Sequence, residues 1–246
     1  MHDRAIGDAM REFLSRFDER QVVAIMGGHA QRRTDASYRR VALIAKALTE
    51  RGKLMSSGGG PGAMEATHLG AWMAGRPLEE FEDALEILSV APTFRDEGWL
   101  RTAFEVKKKY PQNKYRSLGI PTWFYGHEPA TPFATHIAKY FFNSLREDVL
   151  LAIAKGGIIY SPGSAGTIQE IFQDAAQNHY ETFGTPSPMV FLDKDFFTRE
   201  IPIYPLLEDL VARGQYKNLM ISVTDDAQEA IDTVLAFSVK ETTAGC

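Results

Sequence analysis

Two glycine-rich stretches stand out for the chemistry they could do. Gly58-Gly59-Gly60-Pro61-Gly62 and Pro162-Gly163-Ser164-Ala165-Gly166-Thr167 each follow a short apolar run and precede a segment of helical period. Glycine lets the backbone come close to a ligand, and the free N–H groups at the start of the next helix attract anions. Ser164 and Thr167 add hydroxyl donors. Neither stretch is the G-x-G-x-x-G dinucleotide fingerprint, and neither carries the lysine of a P-loop. One such turn alone reads as a tight connection, whereas two at strand ends point to a bound phosphate.

Glu170 lies three residues past Thr167, on the first turn of the helix that would hold that phosphate. Cleavage of a glycosidic bond develops positive charge on the sugar, which a nearby carboxylate can stabilise. By spacing alone, Glu170 reads as an acidic residue favouring a helix start. Arg146, in Asn143-Ser144-Leu145-Arg146-Glu147-Asp148, is by pattern alone a solvated arginine paired with Glu147 or Asp148.

Other chemistries find little support. The six histidines (His2, His29, His68, His127, His136 and His179) show no metal-ligand spacing, so no metal is expected, and only His29 lies beside a candidate ligand loop. There is no G-x-S-x-G elbow. Pyridoxal phosphate chemistry needs a lysine at a ligand-facing loop. Lys53 opens a strand and Lys107 to Lys109 lie in a segment without clean period, so no organic cofactor is expected either.

The elements that must position these residues alternate between strand-sized apolar runs and helical periods, as in a parallel sheet covered on both faces. Strands are expected at 22–26, 53–56, 85–90, 120–125, 157–160, 189–192 and 219–223. Helices are expected at 36–50 (with Asp35 as N-cap, Gly52 as stop, and Val41, Ile44, Ala45 and Leu48 buried), from 63, over 133–154, from Thr167 to near His179, at 205–213 and at 227–237. Met10, Phe13, Leu14 and Phe17 mark an amphipathic N-terminal helix over 2–20. Residues 93–118 are charged and aromatic and read as an insertion or lid. With no repeat or linker, residues 1–246 are expected to form one domain: an α/β, Rossmann-like, open and mostly parallel sheet of about seven strands with helices on both faces.

The 246 residues carry a net charge of −5 with 44% apolar and 24% charged residues, so nothing suggests a basic face for a nucleic-acid polymer. No apolar stretch reaches the length of a membrane span, the charged N-terminus is unlike a signal peptide, and the single cysteine, Cys246, cannot form an intrachain disulfide. A cytoplasmic location is expected. Tyr140, Phe141, Phe142 and Leu145 exceed one buried stripe, which points to a second subunit.

Gly58-Gly59-Gly60-Pro61-Gly62-Ala63-Met64-Glu65-Ala66 resembles the G-G-G-x-x-G-x-M motif of the "lonely guy" (LOG) phosphoribohydrolases, a family long mislabelled as lysine decarboxylases. Pro162 to Glu170 resembles its P-G-G-x-G-T-x-x-E, Arg146 matches the arginine of its R-K pair, and Gly27-Gly28-His29 stands where its C-G-S turn would be. The similarity spans most of residues 20–237. It implies a homodimeric nucleoside 5′-monophosphate nucleosidase, acting on a purine nucleotide such as AMP and releasing free base and ribose 5-phosphate. Glu170 and Arg146 would be the catalytic pair. Gly27, Gly28, Gly58, Gly59, Gly60, Gly62, Met64, Pro162, Gly163, Ser164, Ala165, Gly166 and Thr167 would bind the nucleotide. The chain departs from the pattern at Ser164 for the second glycine, at Glu147 for the lysine, in the first turn, and in the length of 93–118. A non-catalytic nucleotide sensor on the same fold is the alternative.

Overall fold

The computed structural model describes residues 1–123 and 129–239. The ends of the expected fourth strand (Phe124 and Tyr125), His127 and Cys246 lie outside the described residues. Seven strands, β1 (Val22–Met26), β2 (Leu54–Ser57), β3 (Ser117–Gly119), β4 (His136–Ile137), β5 (Ile158–Tyr160), β6 (Pro188–Leu192) and β7 (Met220–Thr224), form one sheet in the order β4-β3-β2-β1-β5-β6-β7. Every pair in it is parallel.

Nine α-helices cover this sheet among the described residues: α1 (His2–Leu14), α2 (Ala36–Glu50), α3 (Ala63–Trp72), α4 (Leu78–Ser89), α5 (Trp99–Lys109), α6 (Asn143–Ala152), α7 (Ala165–Tyr180), α8 (Ile203–Ala212) and α9 (Ala227–Val239). Successive residues of a strand point to opposite faces. Accordingly, Val23 and Ile25 of β1 join a core built with α2, α3, α4, α5 and α9, while Ala24 and Met26 join a second core with α1, α6, α7 and α8. The chain is thus an α/β Rossmann-like fold with an open, all-parallel sheet.

The expected bounds of β1 and α2 agree with the structure, and Val41, Ile44, Ala45 and Leu48 are buried as the period requires. Asp35 is the N-cap residue of α2 but makes no side-chain cap bond, and its carboxylate instead accepts from the Arg32 N–H at 2.7 Å.

Four expectations need correction. Residues 85–90 are not a strand but the end of α4, whose Phe81, Ala84, Leu85 and Leu88 repeat at helical spacing and are buried. Residues 93–118, expected as an insertion or lid, carry regular structure. They contain α5, whose Trp99, Thr102, Ala103 and Val106 are buried, and then β3. That strand begins three residues before its expected start, and Pro121, having no N–H, stands just past its end. Residues 133–154 are not one helix. Ala138 and Tyr140 donate backbone bonds to Gly119 and Pro121 at 2.9 and 3.0 Å, which lays 136–140 along the sheet edge, and only Asn143–Ala152 is helical. The N-terminal helix stops at Leu14, and a 3-10 turn over Glu19–Gln21, capped by Asp18, leads into β1.

Candidate functional site

In an open parallel sheet, ligands bind outside the carboxyl ends of the strands, where the order of connections reverses. Here the chain runs outward from β1 through β2 and β3 to β4, then returns to the other side of β1 as β5. The reversal lies between β1 and β5, with β2 on the other side of β1. The loops leaving these three strands are the glycine-rich turns.

They meet at backbone contact distance. Gly28 N–H donates to the Pro162 carbonyl at 3.0 Å, and Ala63 N–H donates to the Gly28 carbonyl at 3.2 Å. Gly62 has a positive φ of +67°, and a Cβ there would overlap the Gly28 carbonyl oxygen. Much of the glycine requirement therefore comes from packing loop on loop, as for a tight connection. What remains is an open cleft of about 830 Å3 including its mouth.

Of the residues singled out by sequence, Gly27, Gly28, Gly58, Gly60, Met64, Arg146, Ser164, Ala165, Gly166, Thr167 and Glu170 line this cleft. Gly59, Gly62, Pro162 and Gly163 do not, and they build the loops behind it. Sequence reasoning did not select Met26, Pro121, Thr122 and Pro129, which also line it. The last three come from the stretch after β3, where no motif stands. Helix α7 starts at the cleft with Ser164 as its N-cap residue, and Ser164 makes no side-chain cap bond. Its first backbone N–H groups thus suit an anion.

Glu170 and Arg146 are each 8% exposed and come together from α7 and α6, with Arg146 Nη1 3.5 Å from Glu170 Oε1. Arg146 is therefore not the solvated arginine that pattern alone suggested, and Glu170 is buried beside it. Burial pushes the Glu170 carboxyl up to about 7, Arg146 opposes the rise, and Glu147 adds to it. Glu147 is buried too. Asn143 Nδ2 donates to it at 2.6 Å and Gln169 Nε2 at 2.5 Å. Arg146 Nε has no hydrogen-bond partner among the described residues.

A second buried ion pair, which the sequence did not reveal, fixes the loop after β2. Glu65, in the first turn of α3, accepts from Arg33 Nη2 at 2.6 Å, from Arg33 Nε at 3.0 Å and from the Tyr38 hydroxyl at 3.2 Å. Arg33 Nη1 donates to the carbonyls of Ala91 and Trp99 and to Thr102 Oγ1, and the guanidinium lies over the Trp99 ring. One arginine therefore ties the start of α3 to the segment leading into α5. Behind the same loop, Ser57 Oγ lies 2.9 Å from Nε2 of the fully buried His68, which burial holds down to about 3 and hence neutral.

No family model matches the chain, and no curated protein matches it. Solved structures do match. The structural-genomics target TM1055 superposes with a TM-score of 0.55 at 17% identity, over 87% of this chain and 98% of that one. The molybdenum cofactor binding protein from the phototrophic bacterium Rippkaea orientalis superposes with a TM-score of 0.53 at 13% identity, over 89% and 97%. At such identities the likeness shows the fold alone.

Proposed function

We propose that the chain hydrolyses the N-glycosidic bond of a nucleoside 5′-monophosphate, giving free base and ribose 5-phosphate. The observation that carries this reading is the buried Glu170–Arg146 pair, which lines the same cleft as the open N-terminus of α7. The 5′-phosphate binds the N–H groups of α7 with Thr167 and Ser164, and this holds the ribose against Glu170. The C1′–N bond breaks, the base leaves with the bonding electrons, and a water oxygen bonds to C1′. Ionised Glu170 stabilises the positive charge on the sugar and takes a proton from that water, while the base gains one. Arg146 orients Glu170 and binds the substrate. The residues of this scheme need no metal and no organic cofactor.

The second reading is a protein that binds a phosphorylated ligand without cleaving it, as sensor or carrier. It is favoured by the uncapped N-terminus of α7, which suits an anion whether or not that ligand is cleaved. The Rippkaea orientalis protein of like fold is a molybdenum cofactor binding protein, and a ligand of that kind is in keeping with this reading. Incubation with AMP and with adenosine, followed by chromatography of the released base, separates the readings. Hydrolysis of AMP with far slower cleavage of adenosine supports the enzyme, because a remote phosphate held by the loops contributes to kcat. Binding of AMP without release of adenine supports the carrier.

A second copy of the chain covers Phe142 and Leu145 in this reading. Both side chains are exposed at the start of α6, close to the catalytic arginine, whereas Tyr140 is buried in the core. With no helix among the described residues long and apolar enough to cross a membrane, we place the protein in the cytoplasm.

A further inference from the structure

Beside the cleft lies a second hollow of about 450 Å3, including its mouth, lined by His29, Gln31, Thr93, Phe94 and Arg95. His29 lines both spaces, so the hollow adjoins the cleft at the loop leaving β1. Its walls combine three kinds of group. The Phe94 ring stands edge-on to His29, with centroids 6.3 Å apart. The Arg95 guanidinium lies over the Phe94 ring at 5.4 Å. The Gln31 carboxamide is anchored at one end, where Nε2 donates to Ser161 Oγ at 3.0 Å, and its Oε1 has no hydrogen-bond partner among the described residues.

The segment that carries Phe94 and Arg95 is held firmly. Thr93 N–H donates to the Asp96 carboxylate at 2.6 Å, and Asp96 N–H donates back to the Thr93 carbonyl at 3.0 Å. On either side, the buried Arg33 bonds the carbonyls of Ala91 and Trp99 with its side chain and that of Pro92 with its backbone N–H. The loop is therefore a fixed wall of the hollow, preorganised rather than ordered on binding.

We propose that this hollow is the base subsite, taking the planar heteroaromatic ring of the nucleotide whose phosphate sits at the start of α7. Phe94 and His29 offer aromatic surface to a flat ring, Arg95 adds a cation to the stack, and the Gln31 carboxamide meets the polar edge of the base. The assignment rests on the nucleotide reading given above. It makes Gln31 and Phe94 the residues that set base preference, apart from the pair that acts on the sugar.

Calorimetric titration with AMP and with ribose 5-phosphate, which lacks the base, tests it. The wild-type chain is expected to bind AMP more tightly than ribose 5-phosphate. Phe94→Ala is expected to weaken AMP by roughly 10- to 100-fold, the range seen for loss of one stacking partner, and to leave ribose 5-phosphate within about twofold. Gln31→Leu is expected to change the order of affinities among AMP, GMP, CMP and UMP. Phe94 is only partly buried on a loop, so its loss should not unfold the chain, and Arg95→Ala at an exposed position gives a second, milder variant. If Phe94→Ala and Arg95→Ala leave AMP affinity unchanged while the wild type prefers AMP, the base binds elsewhere and only this assignment falls. If the wild type binds AMP and ribose 5-phosphate equally, this assignment falls and the phosphate site stands. If it binds neither, the nucleotide reading falls with it.

Discussion

Arg146 on α6 and Glu170 on α7 meet at 3.5 Å in the cleft lining, two residues 24 apart in sequence that the sheet reversal brings together. The distance is at the long end for an ion pair, so the guanidinium moderates the carboxylate without locking it. Glu170→Gln keeps the size and one acceptor but removes the charge that a cationic transition state would feel. Hydrolysis of AMP is expected to fall by about two to three orders of magnitude, with AMP affinity within a few-fold of wild type. Single-turnover kinetics beside titration checks both halves. Normal turnover would reduce Glu170 to a helix-start residue.

The pH dependence follows from the same carboxyl. Its ionised form does the work, and burial has moved it up to about 7. The kcat/KM for a nucleotide should therefore rise with pH through about 7 and level off above it, and the doubly charged phosphate of a bound substrate should move the same limb in kcat further up. Glu147→Lys removes one of the causes of the raised value, so the limb should move to lower pH. A limb at the ordinary carboxylate range in the unaltered chain would contradict the buried geometry.

Asp174, one helical turn beyond Glu170, gives a separate stability signal. Burial raises its carboxyl to about 7 from an ordinary 3.8, and the bond it accepts from the Tyr160 hydroxyl at 2.8 Å opposes that rise. Between those values the folded chain holds a proton that the unfolded chain has lost. The contribution to stability is therefore full below about pH 4 and is lost as pH rises through 7. Asp174→Asn cannot ionise and keeps an acceptor for Tyr160. Denaturant titrations should show a weaker decline of stability from pH 5 to 8 in the variant, and a gain on the order of 1–2 kcal/mol at pH 8.

Breaking the Arg33–Glu65 pair should be costly. Arg33→Ala leaves Glu65 buried without its cation and frees the carbonyls of Ala91 and Trp99. Loss of one partner of a buried pair typically costs about 3–5 kcal/mol. The variant should unfold at markedly lower denaturant, and because the pair joins α3 to the segment before α5, nucleotide affinity should fall with it. A change below about 1 kcal/mol would show that the pair is replaceable by water.

Phe142→Asp and Leu145→Asp place charge on the exposed apolar start of α6. Light scattering should show the wild type as a dimer and the variants as monomers at the same concentration. A wild-type monomer at working concentration would leave these two side chains merely exposed.

Much of this molecule was legible in its residues, because some patterns report local physics alone. The five apolar residues of β1, stopped by Gly27-Gly28, and the stripe Val41, Ile44, Ala45 and Leu48 each imply an element whatever surrounds them. The glycine turns likewise mark where strands hand over to helices. Tertiary structure decided the rest. Residues 85–90 read as a short strand-sized run, and packing shows that only Leu85 and Leu88 of it turn inward, with Phe81 and Ala84, as the buried face of α4. Residues 136–140 lie extended because the edge of β3 offers backbone partners that a helix would have forgone. Pattern alone left Arg146 and Glu170 as ordinary surface and helix-start residues. They become a buried, mutually tuned pair only because β5 returns beside β1, which packs α6 against α7, and because desolvation depends on neighbours far away in the chain.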